Sequence, residues 1–264
     1  MNTSRREFLN APAIAMALAG IARSADPTLG LIFPVTRPVP PEGLAMYPSG
    51  VRFITTGLGL KTMTPEGYDA VLDRIPGAAE KLAAQGASAV VLMGTSLSFY
   101  KGAAFNQRLS ETLKKATGLP ATTMSTGVIE GLKAVGATKV VAATAYDNEV
   151  NRRLQAFLAE SGFEVLGVQG LGIEKVEDID RVTQEGLLKF CVGVRATQPA
   201  ANAILVSCGG LRTLEILAPL EEQGRIPAVS STPHALWAGV RLLGLSGRAP
   251  GFGTLLSKTA EPRR

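Results

Sequence analysis

Hydrophobic runs of about five residues recur along the chain, each followed by a loop rich in Gly, Ser and Thr and then by a helical pattern. The runs at 29–33, 89–93, 139–143, 203–206 and 228–231 are mostly continuous rather than alternating, which is typical of strands buried on both faces. Strands that alternate with helices at this spacing predict an α/β fold with parallel pairing and right-handed crossovers.

Two of the strand–loop–helix units are similar and lie roughly 115 residues apart, which predicts two related halves rather than one long sheet. Their loops are 94–96 (GTS) and 208–210 (CGG). Ligands of parallel α/β folds bind beyond the carboxyl ends of the strands. We therefore expect both loops to meet at one site, together with Tyr146, which follows the strand at 139–143.

Capping residues and prolines predict where several helices begin and end. Thr64-Pro65 predicts a helix start, and Pro76-Gly77 is expected to kink or break that helix. Asp147 is expected to cap a helix, and an apolar helix is expected from Leu211. Thr232-Pro233 repeats the pattern of a cap followed by proline.

The composition, 46% hydrophobic and 19% charged, excludes a disordered chain, a coiled coil and a collagen. One His and two Cys leave too few ligands for a zinc site and exclude a disulfide-rich scaffold. Of the net charge of +5, residues 1–25 carry +2 and residues 258–264 another +2. The body is close to neutral and has no basic run, so we expect no nucleic-acid partner.

Residues 1–25 have the composition of a secretory signal: a charged start, a short apolar stretch and small residues near Ala25. The paired arginines in SRREFL (4–9) resemble a twin-arginine export signal. We therefore expect the export machinery as a partner and a periplasmic location, without stable membrane insertion, because the stretch is too short to span a bilayer. The alternative is an amphipathic N-terminus on a cytoplasmic protein.

Common nucleotide-binding, metalloprotease and serine-hydrolase motifs are absent from the sequence. GLGL at 57–60 lacks a third glycine, and we interpret it as loop. His234 is expected to be a first-turn surface or capping residue rather than a base.

Cys208 is the candidate for proton transfer, because it lies on a strand-end loop with two glycines behind it. The alternative is a small buried hydrophobic residue at a strand end. Cys191 shares a helical face with Leu187 and Val194, and we expect it to be an inert core residue. Thr95, Ser96 and Tyr146 are candidate uncharged donors for a carboxylate or an enolate; the alternative is capping by Thr95 and Ser96 and a core position for Tyr146.

Several long motifs resemble the arylmalonate decarboxylases of the aspartate/glutamate racemase superfamily. They are TTGLGL (55–60), TPEGYDAV (64–71), LMGTSLSFY (92–100), GAAFN (102–106), ATAY (143–146) and SCGGL (207–211), within a likeness from about 30 to 253. The resemblance implies two Rossmann-like parallel-sheet domains related by pseudo-two-fold symmetry, with the site in the cleft between them. We expect residues 28–135 with about 230–255 in the first domain and 136–229 in the second.

The resemblance also implies a role for each matching residue and a reaction without a cofactor. Cys208 is the proton donor; Thr95, Ser96, Tyr146 and the Gly209 amide hold one carboxylate of a small dicarboxylate. The rest of the implied pocket has apolar or small residues: Pro34, Leu60, Met63, Tyr68, Gly94, Val176, Ile179 and Gly210.

The superfamily's racemases use a cysteine from each half, and Gly94 stands at the first-half position here. The resemblance therefore favours enantioselective decarboxylation of α-aryl or α-alkenyl malonates. A racemase, a cis–trans isomerase and an exported carboxylate-binding protein without catalysis stay as alternatives.

Overall fold

A computed structural model describes residues 26–258, and within that range eight strands form two four-stranded parallel sheets. The central strands are buried runs of small and branched residues, as the hydrophobic pattern predicts. The strands are β1 (Thr28–Phe33), β2 (Arg52–Gly57), β3 (Ala89–Leu92), β4 (Ala121–Thr123), β5 (Lys139–Thr144), β6 (Glu164–Gly170), β7 (Ala203–Ser207) and β8 (Ala228–Ser230).

Both sheets have the same strand order, β2-β1-β3-β4 in the first and β6-β5-β7-β8 in the second. Strand β3 in one sheet is thus equivalent to β7 in the other, and the loops that follow them carry Gly94 and Cys208. The predicted α/β class with two related halves is confirmed.

Helices cover the sheets and connect the parallel strands. They are α1 (Pro41–Met46), α2 (Pro65–Asp69), α3 (Ile75–Ala84), α4 (Thr95–Phe99), α5 (Ala103–Thr117), α6 (Met124–Ala134), α7 (Asn148–Glu160), α8 (Gln184–Ala196), α9 (Leu214–Gly224), α10 (Ser231–Leu242) and α11 (Thr254–Ser257). Helix α10 follows the last strand of the second sheet but packs against α6 and β3. The domain limits expected from the sequence stay a prediction.

Several predicted helix boundaries are confirmed, since the cap side chains accept the expected backbone N–H groups. Thr64 accepts from Gly67 at 3.3 Å, and Asp147 accepts from Val150 at 2.8 Å. The break expected at Pro76-Gly77 is wrong. These residues lie in the first turn of α3, where proline costs no hydrogen bond, and the chain breaks earlier, at Ala70 and Val71.

Three other local predictions are corrected. The helix expected from Leu211 begins at Leu214, because residues 208–211 form a turn in which the Leu211 N–H donates to the Cys208 carbonyl at 3.2 Å. Helix α10 begins before Thr232, with Ser230 as its N-cap. Gly57, interpreted as loop, is the last residue of β2.

The predicted export signal, residues 1–25, lies outside the described residues. Between residues 26 and 258, no helix combines the length and apolar character needed to cross a membrane.

Candidate active site

A cavity of about 50 Å³, here called the inner cavity, lies where the loops after β1, β3 and β7 meet. Its first-half lining includes Pro34, Leu60, Met63, Gly94, Thr95 and Ser96, and its second-half lining includes Ile179, Cys208, Gly209 and Gly210. The two halves therefore enclose one space, and ten of the expected site residues contribute to its wall.

Two expected residues, Tyr68 and Tyr146, do not line the inner cavity but lie close behind it. Both are within electrostatic reach of Cys208. The buried Tyr68 hydroxyl has no hydrogen-bond partner among the described residues, although Ser96 is close enough to affect its pKa. The side chain of the remaining expected residue, Val176, is outside the part of the chain that the structure describes.

Cys208 follows β7 and is 4% exposed. Burial raises the pKa of its thiol, while the backbone N–H groups of Gly210 and Leu211 and the charge of Arg37 act in the opposite direction. The thiol therefore carries its proton at neutral pH, and nearby N–H groups are in place to stabilise a thiolate.

A serine joins the two loops that face the inner cavity. Ser231 Oγ, at the start of α10, accepts the backbone N–H of Cys208 at 3.1 Å. Thr95 Oγ1 donates to the same oxygen at 2.8 Å. Ser231 thus fixes the position of the Cys208 backbone relative to the Thr95 hydroxyl.

The tyrosines behind the cavity are neutral groups. Tyr146 Oη lies 3.2 Å from Ser207 Oγ, and the Tyr146 ring packs edge-on against Phe99 with the centroids 5.8 Å apart. Burial raises the pKa of Tyr146 and of Tyr68 well above their usual range. Both phenols therefore keep their protons and can act as donors without adding fixed charge to the site.

One wall of the inner cavity is apolar. Leu60, Met63 and Ile179 are 5%, 7% and 3% exposed. Gly210 allows this wall to approach the cysteine loop, since a Cβ there would lie 2.9 Å from Ile179 Cδ1. A carboxylate against this wall would lose water without gaining hydrogen bonds.

Arg37 and Ser231 contribute to the site, and the sequence reasoning missed both. Arg37 lines the cavity and lies in the loop that begins at the expected pocket residue Pro34. Ser231 directly follows β8, so the rule that sites form at the carboxyl ends of strands could have indicated it.

The remaining candidates lie apart from the inner cavity. Cys191 is fully buried and burial raises its pKa to about 12, which confirms the expected core position. His234 is not a surface residue: it is 1% exposed, and burial lowers its pKa to about 4. Its Nδ1 accepts the N–H of Ser230 at 3.0 Å, so the capping part of the expectation is confirmed.

Comparison with known proteins decides the family. The family model described as arylmalonate decarboxylase matches residues 29–256. The chain belongs to the arylmalonate decarboxylase family. The expected enzyme class, a carboxy-lyase, is confirmed.

Individual relatives support this family assignment. The chain is 46% identical to the arylmalonate decarboxylase of Bordetella bronchiseptica over 239 residues, which cover 90% of this chain and 99% of the relative. A liganded structure of an arylmalonate decarboxylase with glycine-to-cysteine and cysteine-to-serine substitutions has a TM-score of 0.85 and 47% identity, covering 88% of this chain and 99% of that one.

A more distant structure shows the same fold. The maleate isomerase of Pseudomonas putida S16 has a TM-score of 0.82 at 22% identity, covering 88% of this chain and 99% of the isomerase. At this identity the likeness shows the fold alone.

Proposed function

We propose that this protein decarboxylates α-aryl and α-alkenyl malonates without a cofactor, through an enediolate that Cys208 protonates on one face. The observation that carries this proposal is a single buried, protonated thiol in a cavity that has uncharged donors on one side and an apolar wall on the other. Membership of the family supports the substrate class.

The two carboxylates of the substrate occupy different environments. One is held by Thr95 and Ser96, with the Gly209 N–H on the opposite loop and Tyr146 supporting Thr95 from behind. The other lies against Leu60 and the neighbouring apolar side chains, where loss of hydration destabilises its charge.

The reaction relieves that destabilisation. The bond between the α-carbon and the desolvated carboxylate breaks, neutral CO₂ leaves, and the bonding electrons pass into an enediolate. The hydroxyl donors stabilise its charge, and the aryl or alkenyl group delocalises it. Cys208 Sγ–H then gives its proton to the α-carbon, and solvent returns a proton to the thiolate.

A single thiol can protonate one face of the planar enediolate. Gly94 occupies the equivalent place after β3 and has no side chain with which to deliver a proton from the other face. This supports a single enantiomer as the product and argues against a two-base racemase.

A panel of α-substituted malonates assayed for CO₂ release, with chiral analysis of the products, tests the proposal. We expect release from phenylmalonate and its α-methyl derivative. Racemisation of an amino acid or a hydantoin with no CO₂ from phenylmalonate would overturn it. A chain that binds monocarboxylates but turns nothing over would support the binding-protein alternative.

Residues 1–25 support a second proposal, that a twin-arginine machinery exports the protein to the periplasm. Fractionation of cells that express the full chain, with the Arg5→Lys and Arg6→Lys double variant as the comparison, tests it. We expect periplasmic activity that the double variant loses; equal cytoplasmic activity for both chains would contradict it.

A further inference from the structure

The inner cavity is not closed on all sides, because six of its lining residues also line a larger adjoining space. The α-substituent of a substrate bound beside Cys208 can therefore extend into that space.

An adjoining space of about 620 Å³, here called the outer chamber, receives that substituent. It shares Phe33, Val35, Leu60 and Arg37 with the inner cavity, as well as the Gly209 and Gly210 backbone. Its charged lining is mixed, with three cations and three carboxyl groups: Arg37, Lys61, Arg212, Glu42, Glu177 and Asp180. The rest of the lining is mostly apolar, with Phe33, Val35, Val39, Leu60 and three prolines, so the chamber suits an aryl group that carries a polar or charged substituent.

Arg37 occupies the boundary between the two spaces. Among the described residues that line the inner cavity, it is the one with a permanent charge. Glu42, Glu177 and Asp180 line the outer chamber alone. A substituent that leaves the inner cavity therefore meets a positive charge first.

The ion pair that holds Arg37 is loose. Arg37 Nη1 lies 3.6 Å from Asp180 Oδ1, beyond the ~2.7–2.9 Å of a charge-assisted hydrogen bond. The Arg37 side chain is 31% exposed and that of Asp180 71%. A ligand anion can therefore take the place of a carboxylate that water already solvates, next to a guanidinium that is partly shielded from water.

The other two cations differ in their partners. Arg212 pairs with Glu215 at 3.6 Å. Lys61 is exposed and takes part in none of the ion pairs formed between residues 26 and 258. Lys61 thus adds a positive charge to the same chamber, in which Glu42 and Glu177 likewise take part in none of these ion pairs.

We propose that Arg37, supported by Lys61, forms an anion subsite at the mouth of the inner cavity, and that the substrate is a malonate whose α-substituent carries a further carboxylate. This inference rests on the proposed decarboxylation for its reaction but not for the subsite itself. The extra carboxylate binds Arg37 in place of Asp180 while the malonate group occupies the inner cavity.

Two substrates that differ by one charge test the subsite. For phenylmalonate and (4-carboxyphenyl)malonate, kcat/KM is measured in the unchanged protein and in Arg37→Ala, Arg37→Lys and Arg181→Ala. Arg181 is the matched control, since it lies with Asp180 in the 3₁₀ helix Val176–Arg181, pairs with Asp178 and lines neither space.

We expect Arg37→Ala to lower the ratio of kcat/KM for the carboxylated over the plain substrate at least tenfold, mainly through KM. Arg37→Lys should restore much of that ratio, and Arg181→Ala should leave it unchanged. An unchanged ratio in Arg37→Ala, or an equal fall in Arg181→Ala, would overturn the subsite. A higher kcat/KM for (4-aminomethylphenyl)malonate than for the carboxylated substrate would also overturn it, because the outer chamber would then bind a cation through Asp180.

A binding measurement separates the subsite from the reaction. Calorimetry with phenylacetate and 4-carboxyphenylacetate compares the unchanged protein with Arg37→Ala. Tighter binding of the dicarboxylate that disappears in Arg37→Ala supports the subsite. If no malonate is decarboxylated in the kinetic assay, the proposed function fails while the subsite stands. Equal binding of both acids by the unchanged protein contradicts the subsite.

Discussion

The hydroxyl of Thr95 donates a hydrogen bond to the hydroxyl of Ser231 at 2.8 Å, across 136 residues of sequence. The same Ser231 oxygen accepts the backbone N–H of Cys208. Thr95, Ser231 and Cys208 are all buried. The distance between the proposed proton donor and the hydroxyl proposed to bind a carboxylate therefore depends on one side chain that lies outside both loops.

Substitution of Ser231 by alanine should disconnect these loops. The buried Cys208 N–H loses its acceptor, which costs about 1–3 kcal/mol of unfolding free energy. A displaced thiol should lower kcat about 10- to 100-fold. Steady-state kinetics and denaturant unfolding measure both effects.

Ser230→Ala is the matched control, since Ser230 is equally buried but accepts from Thr213 Oγ1 at 2.9 Å. It should lose stability with little change in kcat. Equal losses of kcat in the two variants would show that Ser231 acts through general stability alone.

A cysteine at position 94 should place a second thiol across the cavity from Cys208. The backbone at Gly94 has an extended conformation, with φ −145°, so a side chain causes no backbone strain. Its Cβ would lie 3.0 Å from Pro34 Cγ, a tight contact that small shifts can relieve. We expect Gly94→Cys to racemise 2-arylpropionates, as followed by chiral chromatography.

Gly94→Ala separates the thiol from the added bulk and should show no racemisation. A folded Gly94→Cys protein that leaves a pure enantiomer unchanged would contradict the two-face geometry.

The pH dependence of kcat should follow the ionisation of Cys208. The proposed proton donor is the thiol, and burial raises its pKa above the ~8.5 of an ordinary cysteine. The rate should therefore be constant through neutral pH and fall only as the thiol ionises in the alkaline range. Arg37→Ala removes a charge that lowers this pKa, so the alkaline fall should move to higher pH.

Ultraviolet titration of the thiolate, in a Cys191→Ser background, should show the same midpoint as the kinetic profile. A rate that rises as the thiolate forms would mean that Cys208 acts as a base and not as the acid.

Folding stability at low pH should depend on His234. Its pKa is about 4 in the folded chain and about 6.5 when unfolded. The unfolded chain takes up this proton first as pH falls, so the stabilisation is present above pH ~6.5 and is lost progressively toward pH ~4, by about 3 kcal/mol. In His234→Asn the side-chain amide oxygen can still accept the Ser230 N–H, but the side chain no longer takes up a proton.

Denaturant unfolding of both chains at several pH values tests this. The difference between the two stabilities should shrink from neutral pH to pH ~4. Parallel curves would show that His234 is protonated in the folded state as well.

The hydrophobic pattern predicts the buried central strands and the buried edge strand β8, but not the edge strands β2, β4 and β6. Strands β2 and β6 are edge strands whose residues are mostly partly exposed, so they lack the continuous apolar run that marks β3 or β7. Caps such as Asp147 are predictable because they act within four residues.

The candidate site divides in the same way. Cys208 and the Thr95-Ser96 pair follow strong strand signals, so the strand-end rule finds them. Arg37 contacts Asp180, 143 residues away, and Ser231 contacts Thr95, 136 residues away. Local sequence patterns do not indicate contacts at such separations. The burial of His234 likewise follows from α10 packing on α6, which its own segment does not reveal.

The most direct test of Cys208 as the proton donor is the decarboxylation of α-methyl-α-phenylmalonate by the unchanged protein and by Cys208→Ser, with Cys191→Ser as the matched control. The unchanged protein and the control should release CO₂ and give one enantiomer of 2-phenylpropionate. Cys208→Ser should lose at least about a thousandfold in rate, about 4 kcal/mol in transition-state free energy, while it still binds the product. A racemic product from the unchanged protein, or a Cys208→Ser rate within tenfold of it, would contradict the account.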